Sequence, residues 1–154
     1  MKSLSLRNQS KTSKYYKLYW NYYALLKKKY GIRVLHKKLN KDDMGIFDIE
    51  TNTLIIDRRL AGKLEGLASL IHEFSHYKHT QKNLYPNFYN GNYYKNINNS
   101  INLIWKVEWD CVKSEKQYIN KKGFYPNVKL WNKNYLKKKV LPLWIKYYLK
   151  IDRY

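Results

Sequence analysis

The chain has 154 residues, with 31 Lys and Arg against 11 Asp and Glu and a formal net charge of +20. This length buries one core of ordinary size and needs no second domain. A single cysteine, Cys111, excludes an internal disulfide and a cysteine-based zinc ribbon, and it fits a reducing cytoplasm.

The basic opening "MKSLSLRNQSK" is followed by no apolar segment of secretory-signal type, and no stretch nears the about 18 apolar residues of a membrane span. A cytoplasmic protein with no membrane partner is therefore expected, in the host cytoplasm if the source is viral. The excess charge would draw phosphates. Lys, Asn, Ile and Tyr are all abundant, however, as AT-rich coding also produces. The charge is read as part compositional drift and part weak, nonspecific nucleic-acid affinity.

Residues 1–12 are polar and without periodicity, and are expected to form a flexible N-terminus ahead of one domain over 13–154. "SKYYKLYWNYYALLKKKYG" reads as a helix, with Ser13 placed to cap it and Gly31 to stop it. Its stripe is Tyr15, Leu18, Tyr19, Tyr22, Leu26 and Tyr30. "IRVLHK" is a short strand on which His36 is structural. "GIFDIE" and "NTLIID", joined around Glu50, Thr51 and Asn52, read as an antiparallel hairpin. From Leu60 the period becomes helical, with Leu64, Leu67, Ile71 and Phe74 on one stripe.

Residues 82–100, rich in Asn and Tyr with Pro and Gly, predict a long loop and no regular element. A helix follows from Ile101 and closes at Gly123. "WNKNYLKKKVLPLWIKYYLK" predicts a last helical segment that Pro142 kinks or splits.

The helix after the hairpin carries "SLIHEFSHYKH". Residues four apart lie on one helical face, so His72 and His76 can aim ring nitrogens at one point. Neutral imidazole suits Zn²⁺, and a catalytic zinc takes three protein ligands and a water that it acidifies. Glu73 follows the first histidine, where it can take a proton from that water. At this chain's own His and Glu frequencies, chance gives such a pattern in roughly one sequence in three hundred. Small neighbours Ala68, Ser69 and Ser75 permit close packing of the helix.

Over residues 44–122 the chain resembles the small HExxH zinc metallopeptidases of gluzincin type. Among these are the ImmA/IrrE-like and SprT-like domains and short phage-encoded metallopeptidases. The likeness lies in the hairpin, "LASLIHEFSHYKH", a loop, and a helix carrying "VEWDC". It implies zinc held by His72 and His76, Glu73 as general base, and an acid of the later helix, Glu108, as third ligand. The third histidine of metzincins is absent, since positions 77–82 read "YKHTQK".

The helical wheel also favours Glu108, which shares a stripe with Ile101, Ile104, Cys111, Val112, Glu115 and Ile119. An acid on an apolar stripe is costly unless partnered. Asp110 is rotated by about 200° to the wetter side, and Glu115 suits an acid that orients a ligand histidine. His79 as third ligand would crowd one helical turn, and Cys111 reads as a small buried hydrophobe. Tyr77, Tyr85, Tyr89, Tyr93 and Tyr94 are candidates to polarise a substrate carbonyl.

The resulting expectation is an α+β, minimal zincin-like domain. A three-stranded sheet containing an antiparallel pair packs on the HExxH helix and a second, acidic helix. Its reaction is zinc-dependent hydrolysis of a peptide or protein substrate. Two alternatives are a basic, nucleic-acid-associated protein acting on DNA-bound protein and a zincin without turnover used for binding.

Overall fold

The computed structural model describes residues 13–150. The expected loose segment 1–12 and the Ser13 side chain lie outside the described residues. The architecture is α+β, and the chain forms two compact units, Met1–Tyr77 and Lys78–Tyr154.

The first unit opens with helix α1, Ser13–Tyr30. Tyr19, Tyr22 and Leu26 of the predicted stripe are buried, while Tyr30 at the end of the stripe is exposed. Gly31, at φ +64°, turns the chain left-handed, so that the Ile32 N–H donates back to the Leu26 carbonyl at 3.1 Å. Strands β1 (Arg33–Lys37), β2 (Gly45–Asp48) and β3 (Thr53–Asp57) follow.

The β2–β3 hairpin forms as predicted, pairing Gly45 with Ile56 and Asp48 with Thr53. Asn52 of its turn takes φ +49°, a conformation that Asn tolerates. β1 lies parallel to β3 on the other side, with Arg33 opposite Thr53, giving the order β1-β3-β2. The central strand is accordingly the apolar one, with Leu54 and Ile56 fully buried, while β1 and β2 are edges.

Asp57 ends β3 with its side chain buried. Its Oδ1 accepts from the Arg59 N–H and Nε, each at 2.9 Å, and its Oδ2 accepts from Arg59 Nη2 at 2.6 Å and from the Leu39 N–H at 3.3 Å. His36 accepts or shares a hydrogen bond with the Tyr19 hydroxyl and packs among Tyr19, Trp20 and Tyr23. Burial lowers its pKa below the ordinary 6.5, which agrees with a structural, neutral imidazole.

Helix α2, Leu64–Gln81, begins where Gly66 meets the preceding turn. A Cβ on Gly66 would lie 2.0 Å from the Leu60 carbonyl oxygen, so no other residue fits there without displacing backbone. Leu67, Leu70, Ile71 and Phe74 are buried along it. Phe74 stacks on Tyr77 and lies 4.9 Å, ring to ring, from Tyr30, while Tyr77 meets Phe47 of β2 edge-on.

In the second unit the predicted loop over 82–100 holds more structure than its composition indicated. Pro86–Tyr89 forms one helical turn, with Pro86 in the first turn, where its missing N–H costs nothing. Helix α3 starts at Ile97 rather than Ile101 and runs to Lys121. Asn96 makes the earlier start, its side chain accepting from the N–H groups of Asn98 and Asn99. Gly123, at φ +90°, closes it.

Pro142 does divide the last segment. A π-helical turn, Leu136–Val140, widens the chain before helix α4, Leu141–Leu149. Phe88, Ile104 and Val107 form a small core against which Leu141, Trp144 and Tyr148 pack. Among the described residues no helix is long and apolar enough to cross a membrane.

The Arg59 guanidinium holds the Asp57 carboxyl well below its ordinary 3.8. The folded state therefore favours the carboxylate more than the unfolded chain does. That stabilisation is complete above pH 3.8 and fades as pH falls toward the folded value. Asp57→Asn should lower the denaturant midpoint at pH 7, with the deficit shrinking below about pH 4. A deficit independent of pH would assign the effect to packing instead of charge.

Candidate metal centre

Within the first unit α2 sets His72 and His76 one turn apart, with ring centroids separated by 5.1 Å and ring planes at 66°. Two imidazoles bonded to one tetrahedral zinc at about 2.0–2.1 Å place their ring centres on the order of 5 Å apart. The separation of the pair is thus of the size such an ion requires. His76 is buried and His72 half-buried.

Glu73 is also buried, beside Gly45 of β2. A Cβ at Gly45 would come within 3.2 Å of Glu73 Cγ, so the glycine is what lets the strand approach the motif carboxylate. Ser75, the small residue between Glu73 and His76, turns inward and donates from its hydroxyl to the Ile71 carbonyl at 2.8 Å. This satisfies a buried hydroxyl within the helix itself.

The acids of the second unit have distinct surroundings. Glu108 is 2% exposed on the stripe of Ile104, Val107, Cys111, Val112 and Ile119, as the helical wheel predicts. Its Oε1 accepts from the Tyr148 hydroxyl at 2.7 Å. Burial first, then the charges of Glu108 and Tyr147, push the Tyr93 hydroxyl up to about 12. Cys111, one turn after Glu108, is fully buried.

Glu115 is buried too, and its Oε1 accepts from Trp131 Nε1 at 3.1 Å. Asp110 is the wetter acid, its side chain 40% exposed, with Oδ1 3.7 Å from Lys113 Nζ.

His79 is held from both sides. Its Nε2 lies 2.9 Å from Asp110 Oδ2 and its Nδ1 2.7 Å from the Tyr89 hydroxyl. A carboxylate only accepts, so Nε2 carries the hydrogen, and Nδ1 shares a hydrogen bond with the Tyr89 hydroxyl. Both nitrogens are thereby used, which leaves His79 as arranged with no lone pair for a metal. The carboxylate found orienting a histidine is thus Asp110, whereas Glu115 takes up Trp131.

Of the candidate tyrosines, Tyr89 bonds His79 and Tyr85 lies against the His79 ring at 5.1 Å. Tyr93 packs on Phe88, Tyr77 is stacked on Phe74, and Tyr94 is exposed. Tyr148 and Trp131, the partners of Glu108 and Glu115, were not among the sequence candidates. Nothing local marks either residue, because the pairs are 40 and 16 positions apart.

Comparison with protein-family models, with curated proteins and with solved structures finds no match to this chain.

Replacing Tyr89 with Phe removes the hydroxyl that bonds His79 Nδ1. Tyr89→Phe should cost about 0.5–1.5 kcal/mol in urea denaturation. An unchanged midpoint would show that this bond adds nothing to stability.

Proposed function

We propose that the protein is a zinc-dependent peptide hydrolase built as a minimal zincin-like domain. The observation that carries this reading is the His72–His76 pair at a ring separation suited to one tetrahedral ion, with Glu73 between the two in sequence. His72 and His76 hold the metal, and the third ligand comes from the buried stripe of α3. Glu108 is the first choice there, because the family resemblance gives that role to an acid of the later helix and Glu108 is buried on its inward face. Cys111, on the same stripe, is the alternative, as a thiolate also suits zinc. Asp110 and Glu115 are less suited, Asp110 lying on the wetter side of the helix and Glu115 two turns further along it.

Zinc bound there would polarise a scissile carbonyl and acidify a water. Glu73 would take the water's proton and pass it to the leaving amine. Tyr148, donating to Glu108 Oε1, fixes the orientation of that carboxylate.

The substrate is an extended peptide that pairs with the open edge of β2. Support comes from the strand order, in which β2 is an edge, and from Gly45, which brings that strand against Glu73.

The purified protein should contain about one zinc per chain by elemental analysis, lost on His72→Ala or His76→Ala. Glu73→Gln should keep the metal and reduce cleavage of an unstructured protein substrate by about a hundredfold or more. Stoichiometric zinc in the double histidine variant would place the metal elsewhere, and full activity of Glu73→Gln would remove Glu73 from the mechanism.

Competition with a zinc-binding dye separates the third-ligand candidates. Glu108→Ala should weaken zinc binding more than Cys111→Ala does, and the reverse order would assign the position to Cys111.

A further inference from the structure

Helix α3 has a second organised face besides its buried one. Trp105, Trp109, Lys113, Lys116 and Asn120 fall within about 80° of arc along about 22 Å of helix axis. Trp105 and Trp109 are stacked, with ring planes 9° apart and centroids 5.5 Å apart, and Lys137 Nζ lies 5.0 Å over the Trp105 ring. Further along, Trp109, Lys113, Lys116, Asn120 and Trp131 line a cavity of about 300 Å³.

The wall formed by Trp131 is fixed, since its Nε1 donates to Glu115. Asn120 Oδ1 is buried and has no hydrogen-bond partner among the described residues.

We infer that this face of α3 binds single-stranded nucleic acid, with a base entering the Trp109–Trp131 cavity and the backbone running past Lys113 and Lys116. The chemistry of each part matches that ligand. A cavity of this size is at the small end of ligand sites and suits one planar ring system. Aromatic side chains stack any base, while lysines follow the phosphates without reading sequence.

The chain's net charge of +20 complements the polyanion. The one acid on the path, Asp110, has one oxygen on His79 and the other near Lys113, so it opposes the ligand less than a free carboxylate would. Duplex is disfavoured because its bases are already stacked and paired. None of this depends on the metal reading.

The experiment titrates the full chain with oligothymidylate, oligocytidylate, a duplex of equal length and inorganic polyphosphate. It follows tryptophan fluorescence and the anisotropy of labelled DNA over a salt series. The expected result is quenching by the single strands and affinity that falls steeply with salt. One stacked base should make the preference over duplex about 5- to 150-fold.

Trp109→Ala should remove that preference, and Lys113→Glu with Lys116→Glu should weaken single strand and duplex alike. Thermal melts check that each variant is folded. Should Trp109→Ala not fold, Trp109→Leu and the exposed lysine pair take its place. Equal binding of duplex or polyphosphate, a preference that survives loss of the indole, or no binding at low salt would overturn the assignment.

Discussion

A polar side chain taken out of water must find a partner inside the protein, at a cost of about 1–3 kcal/mol for a neutral group left without one. Helix α2 meets this constraint repeatedly, because Glu73, Ser75, His76 and His79 are all buried within seven consecutive residues. An amphipathic helix would normally turn such residues to solvent. Two of them show how differently this is met. Ser75 returns its hydroxyl to the helix backbone, and His79 is clamped by an acid and a phenol. Glu73 lies close beside Gly45 of β2.

The small sheet makes that arrangement rigid at low cost in residues. β3 is central and apolar, and β1 and β2 flank it, so one short strand anchors both edges. Asp57 locks the end of β3 by accepting four hydrogen bonds, three of them from Arg59. A charge-assisted network of this kind fixes where the chain leaves the sheet. It therefore also fixes the start of α2, where Gly66 touches the Leu60 carbonyl.

The tyrosine and lysine content has more than one physical use. Tyr19, Tyr22 and Tyr30 pack among aromatic neighbours in the first unit. Tyr89 and Tyr148 form hydrogen bonds to buried groups in the second. Lysines lie over rings at several places, as Lys129 does over Tyr135 and Lys122 over Tyr118. Such contacts keep an aromatic surface wet and soluble while holding positive charge next to a π face. The tyrosine- and lysine-rich composition is thus put to structural work, residue by residue.

Sequence alone determined the features that depend on neighbours a few residues apart. Helical periodicity located α1, α2 and most of α3, Gly31 and Gly123 marked ends, and the hairpin followed from two β-branched runs around Asn52. The His-Glu-x-x-His spacing and the inward face of Glu108 were legible for the same reason, since one helical turn is a local geometry. Capping by Asn96 was equally local but hidden in an Asn-rich stretch, where one cap could not be told from its neighbours.

Tertiary structure decided what depends on the path of the chain. It put β1 parallel to β3, gave His79 to Asp110 31 positions away, and gave Glu108 to Tyr148 40 positions away. Periodicity tells which way a side chain faces. Only packing tells what waits there, because a partner that far along the chain is chosen by the fold and leaves no mark in the local sequence.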